Sequence, residues 1–231
     1  MPDHDSPQPL LSLRGITRRY SAGSGRVTAL DDVSLAVRDG EFVSILGPSG
    51  CGKSTLLSVL GLLERPDAGS YRIRDIDTGA LGFDQRSSLR NRYIGLVFQA
   101  FNLVANLTVA ENVALPTRYG NVDRDERDAR VHALLERVNL LDRARHYPHE
   151  LSGGQQQRAA IARAMVMGPS LILADEPTGN LDSRHATDVM GLVREFNEEG
   201  ATVVLVTHDL GLAQMAGRRL HMLDGRFVEA S

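Results

Sequence analysis

Apolar residues in this chain come in short unbroken blocks, set between longer stretches of mixed character. "FVSIL" (42–46), "YIGLVF" (93–98), "LILAD" (171–175) and "TVVLVTH" (202–208) have strand length and lack alternation. Such blocks predict strands buried on both faces. Between them the spacing becomes helical in "KSTLLSVLGLL" (53–63) and "SRHATDVMGLVREFNEE" (183–199), and through most of 108–167. In that last region "TVAENVALP", "DRDERDARVHALLERVNLL" and "SGGQQQRAAIARAMVM" predict successive helices. At the start, "LLSLRGITRRY" and "VTALDDVSLAVRDG" predict short strands with polar breaks, joined by a flexible turn at "SAGSG". "RRLHML" and "RFVEA" predict a closing pair around "DGR". Buried strands alternating with helices predict an α/β fold with a mostly parallel sheet. The organisation expected is one domain over residues 1–231, with a helical side lobe at about 100–168.

Composition narrows the classes. The 231 residues are 42% hydrophobic and 24% charged, an ordinary globular balance rather than a disordered one. A net charge of −3 gives no basic surplus for gripping nucleic acid, so no nucleic-acid partner is expected. One cysteine, Cys51, excludes an intrachain disulfide and a cysteine-rich metal site. The acidic, proline-rich start "MPDHDSPQP" does not read as a signal peptide. No apolar run approaches the roughly 18 residues of a membrane span. Action at a membrane would therefore need a partner.

The candidate chemistry starts at "GPSGCGKST". Gly47, Gly52, Lys53 and Ser54 meet the G-x-x-x-x-G-K-[ST] pattern, with a strand before and a helix after. Pro48, Ser49, Gly50 and Cys51 complete the loop. Glycines let successive N–H groups turn toward phosphate oxygens, and the helix start adds partial positive charge. Lys53 can reach the β- and γ-phosphates, the Ser54 hydroxyl can ligate Mg²⁺, and Thr55 adds a phosphate contact. In "LILADEP", Asp175 is the candidate magnesium carboxylate and Glu176 the group that orients or deprotonates an attacking water. "LSGGQQQR" puts Ser152, Gly153, Gly154 and Gln155 at a second anion-binding helix start, its small residues leaving room for a phosphate.

Taken with the loop and "LILADEP", that stretch resembles the signature of the ATP-binding cassette family, and the resemblance runs from about Leu10 to Glu229. It implies a P-loop ATPase core with an antiparallel N-terminal β portion, ATP and Mg²⁺ as ligands, and ATP hydrolysis as the reaction. Tyr20 matches the aromatic residue on which adenine stacks; a half-buried strand tyrosine is the plainer alternative. Gln99 matches the glutamine that senses Mg²⁺ and the attacking water. Gly179–Asp182 matches the loop that crosses to a second subunit, and His208 the switch histidine at the γ-phosphate. The family solves the problem of two anion sites by packing two copies head to tail, each signature closing on the partner's ATP. It also implies separate integral membrane permease subunits and a place on the inner face of the membrane. Phe101, Leu103, Val104 and Leu107 either line the permease groove or belong to the core. "PTGNLD" and "FQAFNLVANLTVAENVALP" resemble the macrolide-export and lipoprotein-release branch, where ATP use drives export or a non-transport membrane process such as cell-division signalling.

Overall fold

The computed structural model describes residues 9–22 and 25–228, so the tip of the expected "SAGSG" turn and the end of "RFVEA" lie outside the described residues. The chain opens with β1 (Leu11–Ala22) and β2 (Gly25–Val37), a long antiparallel ribbon rather than short strands. Its polar breaks are bulges: the register shifts between Leu13 and Ile16 and twice more before Arg19, and pairing resumes each time. β3 (Phe42–Leu46) follows, buried along its whole length, then a glycine loop and α1 (Lys53–Leu60). This helix ends at Gly61, short of the predicted Leu63.

The segment after α1 holds elements that the apolar pattern does not announce. β4 (Ala68–Ile73) and β5 (Ile76–Asp77) extend the antiparallel sheet, and α2 (Phe83–Tyr93) leads into β6 (Ile94–Phe98). Of the residues of α2 only Leu89 is buried, so the helix has almost no apolar stripe. α3 (Val109–Ala114), a 3₁₀ turn at Leu115–Tyr119, α4 (Arg124–Arg137) and α5 (Gly153–Met165) follow. The chain closes with β7 (Leu171–Asp175), α6 (Ser183–Glu198), β8 (Thr202–Thr207), the single turn α7 (Leu210–Ala213), β9 (Arg218–Leu223) and β10 (Arg226–Val228).

Two sheets result. One is antiparallel, in the order β2-β1-β4-β5; the other runs β10-β9-β3-β8-β7-β6 and is parallel except for β10. Of the four inner strands, β3, β8 and β7 are apolar on both faces because both faces are covered. One core packs the antiparallel sheet and α1 onto the parallel sheet, and a second packs α6 on the opposite face. A third lies among α3, α4 and α5. There the fully buried Asn112 ties the preceding loop down, its amide donating to the carbonyls of Val104, Leu107 and Thr108 and its oxygen accepting from Val104 N. No described helix is long and apolar enough to cross a membrane.

Candidate active site

Parallel strands end together, and the sheet uses that end. Leu46 of β3 pairs with Thr207 of β8, Val206 with Asp175 of β7, and Asp175 with Phe98 of β6. The glycine loop, His208, Glu176 and Gln99 therefore leave the sheet side by side at its carboxyl edge, the usual place for a ligand in an open α/β sheet.

The loop from Gly47 to Gly52 is shaped by close approaches. Gly50 and Gly52 have φ of 81° and 106°, the left-handed region where a side chain strains the backbone. A Cβ on Gly52 would stand 2.3 Å from the Ala29 carbonyl, and one on Gly47 2.3 Å from the Met222 carbonyl. Lys53 is only 8% exposed. Its Nζ donates to the carbonyls of Gly47 at 2.7 Å and Pro48 at 2.9 Å, and lies 3.9 Å from Cys51 Sγ. Among the described residues no carboxylate pairs with it. A buried cation held by carbonyls and a thiol, beside a helix start, is the complement of an anion. The phosphates of a nucleoside triphosphate suit that cradle.

Ser54 Oγ donates to Asp175 Oδ1 at 3.5 Å across 121 residues of sequence. Burial first, and then the charge of Glu176, push the Asp175 carboxyl above its ordinary range; the Ser54 bond and Lys53 oppose the shift. A carboxylate so disfavoured is relieved by a cation. No cluster of three or more His, Cys, Asp or Glu among the described residues could hold a metal, so a cation here would share Ser54, Asp175 and ligand oxygens. Mg²⁺, which takes few protein ligands and keeps much of its water, suits that donor set.

Glu176 follows Asp175 in the left-handed region, φ 45°, where its N–H still reaches the Val206 carbonyl at 2.9 Å. The turn sends its side chain toward β8. Oε1 lies 2.7 Å from His208 Nδ1, and Oε2 accepts from Thr207 Oγ1 at 3.4 Å. Glu176 is 16% exposed and His208 71%, so a mostly sheltered carboxylate is held by an open imidazole. Thr207 carries no sequence signal of its own and is found only through the fold.

Ser152 caps α5. Its Oγ accepts from Gln155 N at 3.3 Å, and Gln155 Oε1 accepts from Ser152 N at 2.9 Å, a reciprocal capping box. The serine hydroxyl uses a lone pair in this bond, so its proton remains free to donate. Gly153 lies open enough for a Cβ at 3.4 Å from its nearest neighbour, Leu181. Gly154 does not: a Cβ there would meet the His185 ring at 2.6 Å. Its smallness is required by packing within the chain, and its N–H belongs to the first turn of α5. His185 is itself fixed by Asp182, which caps α6 and lies 2.7 Å from His185 Nδ1. These bonds hold the Asp182 carboxyl below its usual range. The signature turn and the glycine loop share no hydrogen bond among the described residues.

Gln99 engages Asn180 in both directions, Nε2 lying 3.4 Å from Asn180 Oδ1 and the Gln99 carbonyl accepting from Asn180 Nδ2 at 2.9 Å. Gly179 allows this, since a Cβ there would stand 2.7 Å from Gln99 Nε2. The fully buried Gln157 joins three motifs: its amide donates to the carbonyls of Phe98, before Gln99, and Pro177, after Glu176. Within "GGQQQR" nothing separates Gln157 from its neighbours; helical phase alone turns it inward. Tyr20, at the far end of β1, donates its hydroxyl to Glu64.

Beyond Gln99 an open cleft of 870 Å³ runs between α2 and the helical region, lined by Phe83, Leu96, Val104, Leu115, Tyr119 and Met167 among others. Phe83 and Tyr119 are 74% and 78% exposed. Of the four residues expected at such a groove only Val104 lines it. Leu103 packs on the third core, and the Phe101 ring faces Gly153.

Similarity to known proteins extends over most of the chain. The family model described as ABC transporter matches residues 30–179. The macrolide export ATP-binding/permease protein MacB of Rhodospirillum rubrum is 48% identical over 98% of this chain, and that of Burkholderia thailandensis 48% over 96%. The chain spans about a third of these relatives, 35% and 34% of their lengths. Among solved structures, the ATP-binding cassette MJ0796 superposes with TM-scores of 0.88 and 0.89 at 42% and 43% identity, over 95% of this chain and 97% of that one. Both are dimeric, and one is a post-hydrolysis state bound to ADP and Pi.

Proposed function

Because this chain belongs to the ABC transporter family, we propose that it is the ATP-hydrolysing engine of a membrane system, working as a head-to-tail pair around two ATP. The observation that carries the reading is the sheltered Glu176, held at 2.7 Å by His208 at the strand ends next to Lys53 and Asp175. The loop N–H groups, the start of α1 and Lys53 bind the triphosphate. Ser54 and Asp175, with Gln99 at the end of the neighbouring strand, would hold Mg²⁺. Bound there, the ion would neutralise charge on the β- and γ-phosphate oxygens. Glu176 accepts the proton of the attacking water, while His208 keeps that carboxylate aimed and faces the γ-phosphate. Ser152, Gly153 and Gly154 of a second copy close the site, and the Gly179–Asp182 loop crosses between copies. The pairing is isologous, so it makes two identical sites.

The work is done on an integral membrane permease outside these 231 residues, docked in the cleft beside Gln99. The engine sits on the inner face of the membrane. The names of its relatives favour the export branch. The test is Glu176→Gln: it should bind Mg-ATP, accumulate as a dimer by gel filtration, and turn over about 10²–10⁴-fold more slowly. Near-normal turnover would remove Glu176 from the role.

A further inference from the structure

The surroundings of Tyr20 do more than place a tyrosine. Arg18, two residues earlier on β1, lays its guanidinium over one face of the ring, 4.8 Å from the centroid. The spacing puts both side chains on one side of the strand. Arg18 is itself pinned. Its Nε lies 3.0 Å from Glu64 Oε2, and Nη1 lies 3.0 Å from Asp67 Oδ1. Glu64 Oε2 also takes the Tyr20 hydroxyl at 2.6 Å, and Asp67 Oδ2 the Arg19 N–H at 2.6 Å. The Asp67 N–H in turn reaches the Thr17 carbonyl at 2.8 Å. One ring face is thus backed by a fixed planar cation, and its polar end is tied to the same carboxylate that fixes the cation.

We propose that Arg18 is a positioning residue for the nucleotide base: it holds Tyr20 in place and leaves one face of the ring to stack. This deepens the ATP-site reading and rests on Tyr20 being the base platform. A backed ring is ordered before the base arrives, so binding does not have to immobilise it, and the stack with Arg18 is itself attractive. Lysine would keep the charge but lose the plane and the two-pronged grip on Glu64 and Asp67. The dependence belongs to the base alone, because the phosphates bind at the glycine loop.

The experiment compares equilibrium binding of Mg-ATP and of magnesium tripolyphosphate, which has the phosphates without the base. The proteins are the unaltered chain, Arg18→Ala, Arg18→Lys, Tyr20→Leu and the Arg18→Ala/Tyr20→Leu double variant. Both Arg18 variants should bind ATP about two- to tenfold more weakly, with tripolyphosphate binding unchanged. In the Tyr20→Leu background, loss of Arg18 should have no further effect, the signature of two residues acting as one unit. Equal weakening toward ATP and tripolyphosphate would reveal a merely structural strap and overturn the proposal. So would full ATP affinity in Arg18→Ala or Arg18→Lys alongside a weakened Tyr20→Leu. Unchanged ATP affinity in Tyr20→Leu would remove the base platform itself, and Arg18's role with it.

Discussion

Single side chains in this site are constrained from two directions, and Cys51 shows it most plainly. It is 4% exposed, its Sγ is 3.9 Å from Lys53 Nζ, and it stands 2.6 Å from where a Cβ on Gly47 would be. A thiol in that position can be alkylated only when the loop opens, and an adduct cannot coexist with phosphate in the cradle. N-ethylmaleimide should therefore abolish ATP hydrolysis. If alkylation needs the empty loop, ATP at 100 times its Kd should slow it about 100-fold, by mass action. The check is the modification rate by mass spectrometry with and without Mg-ATP. Equal rates, with hydrolysis retained after full modification, would contradict this placement. Lys53→Ala bears on the same cradle: it should lose both nucleotide binding and hydrolysis, read by binding and phosphate release, because positioning by charge is most of phosphoryl transfer.

At the scale of elements, the start of α5 does two jobs with one residue. Ser152 caps the helix through its oxygen and keeps a hydroxyl proton free to donate. The jobs separate on substitution. Ser152→Ala loses the cap and should cost about 1 kcal/mol, or roughly 2–4 °C in Tm at this chain length. Ser152→Asp restores a good capping oxygen, so thermal stability should return. It also puts an anion where the γ-phosphate of the partner's ATP would lie, so hydrolysis should not return. Thermal melts and phosphate release on the same two variants decide it; an active Ser152→Asp would leave the turn a structural cap and nothing more. Gln157 belongs to this scale too, since its amide ties α5 to the ends of β6 and β7. The signature helix is thereby bonded directly to the residues that adjoin Gln99 and Glu176.

For the whole molecule, the decisive question is whether one site needs two chains. Among the described residues the glycine loop and signature turn share no hydrogen bond, and Gly153 has Leu181 and Phe101 as neighbours rather than the loop. Ser152→Arg should bind ATP without dimerising or hydrolysing, because the arginine fills the partner's phosphate space. Lys53→Ala damages the other half. Mixed, the two inactive proteins can form one composite site with an intact loop and an intact signature. Phosphate release should recover in part on mixing, by up to about half of the unaltered rate if one site suffices. Full activity of Ser152→Arg at concentrations where light scattering finds a monomer would refute the shared site.

Local chemistry was written in the sequence. The buried strands β3, β6, β7 and β8 announce themselves as unbroken apolar runs, because strands covered on both faces need no polar positions. The glycine loop is equally legible, since the left-handed backbone strains a side chain at Gly50 and Gly52, and close carbonyls leave no room for one at Gly47 and Gly52. β4, β5 and α2 were not legible: β4 buries only Tyr71 and Ile73, too short an alternation to stand out, and β5 and α2 bury almost no apolar surface. Pairings across the chain were beyond reach as well. Glu176 meets His208 across 32 residues, Gln99 meets Asn180 across 81, and Ser54 meets Asp175 across 121. These contacts follow from the strand order β10-β9-β3-β8-β7-β6, which is fixed by non-local backbone hydrogen bonds and by three cores closing together. The sequence determined which groups could handle a phosphate, because that depends on side chains and local backbone freedom. Only the tertiary structure decided that His208 grips Glu176, that Gly154 is small for His185, and that Arg18 backs Tyr20. Each of those depends on distances between segments that no local pattern encodes.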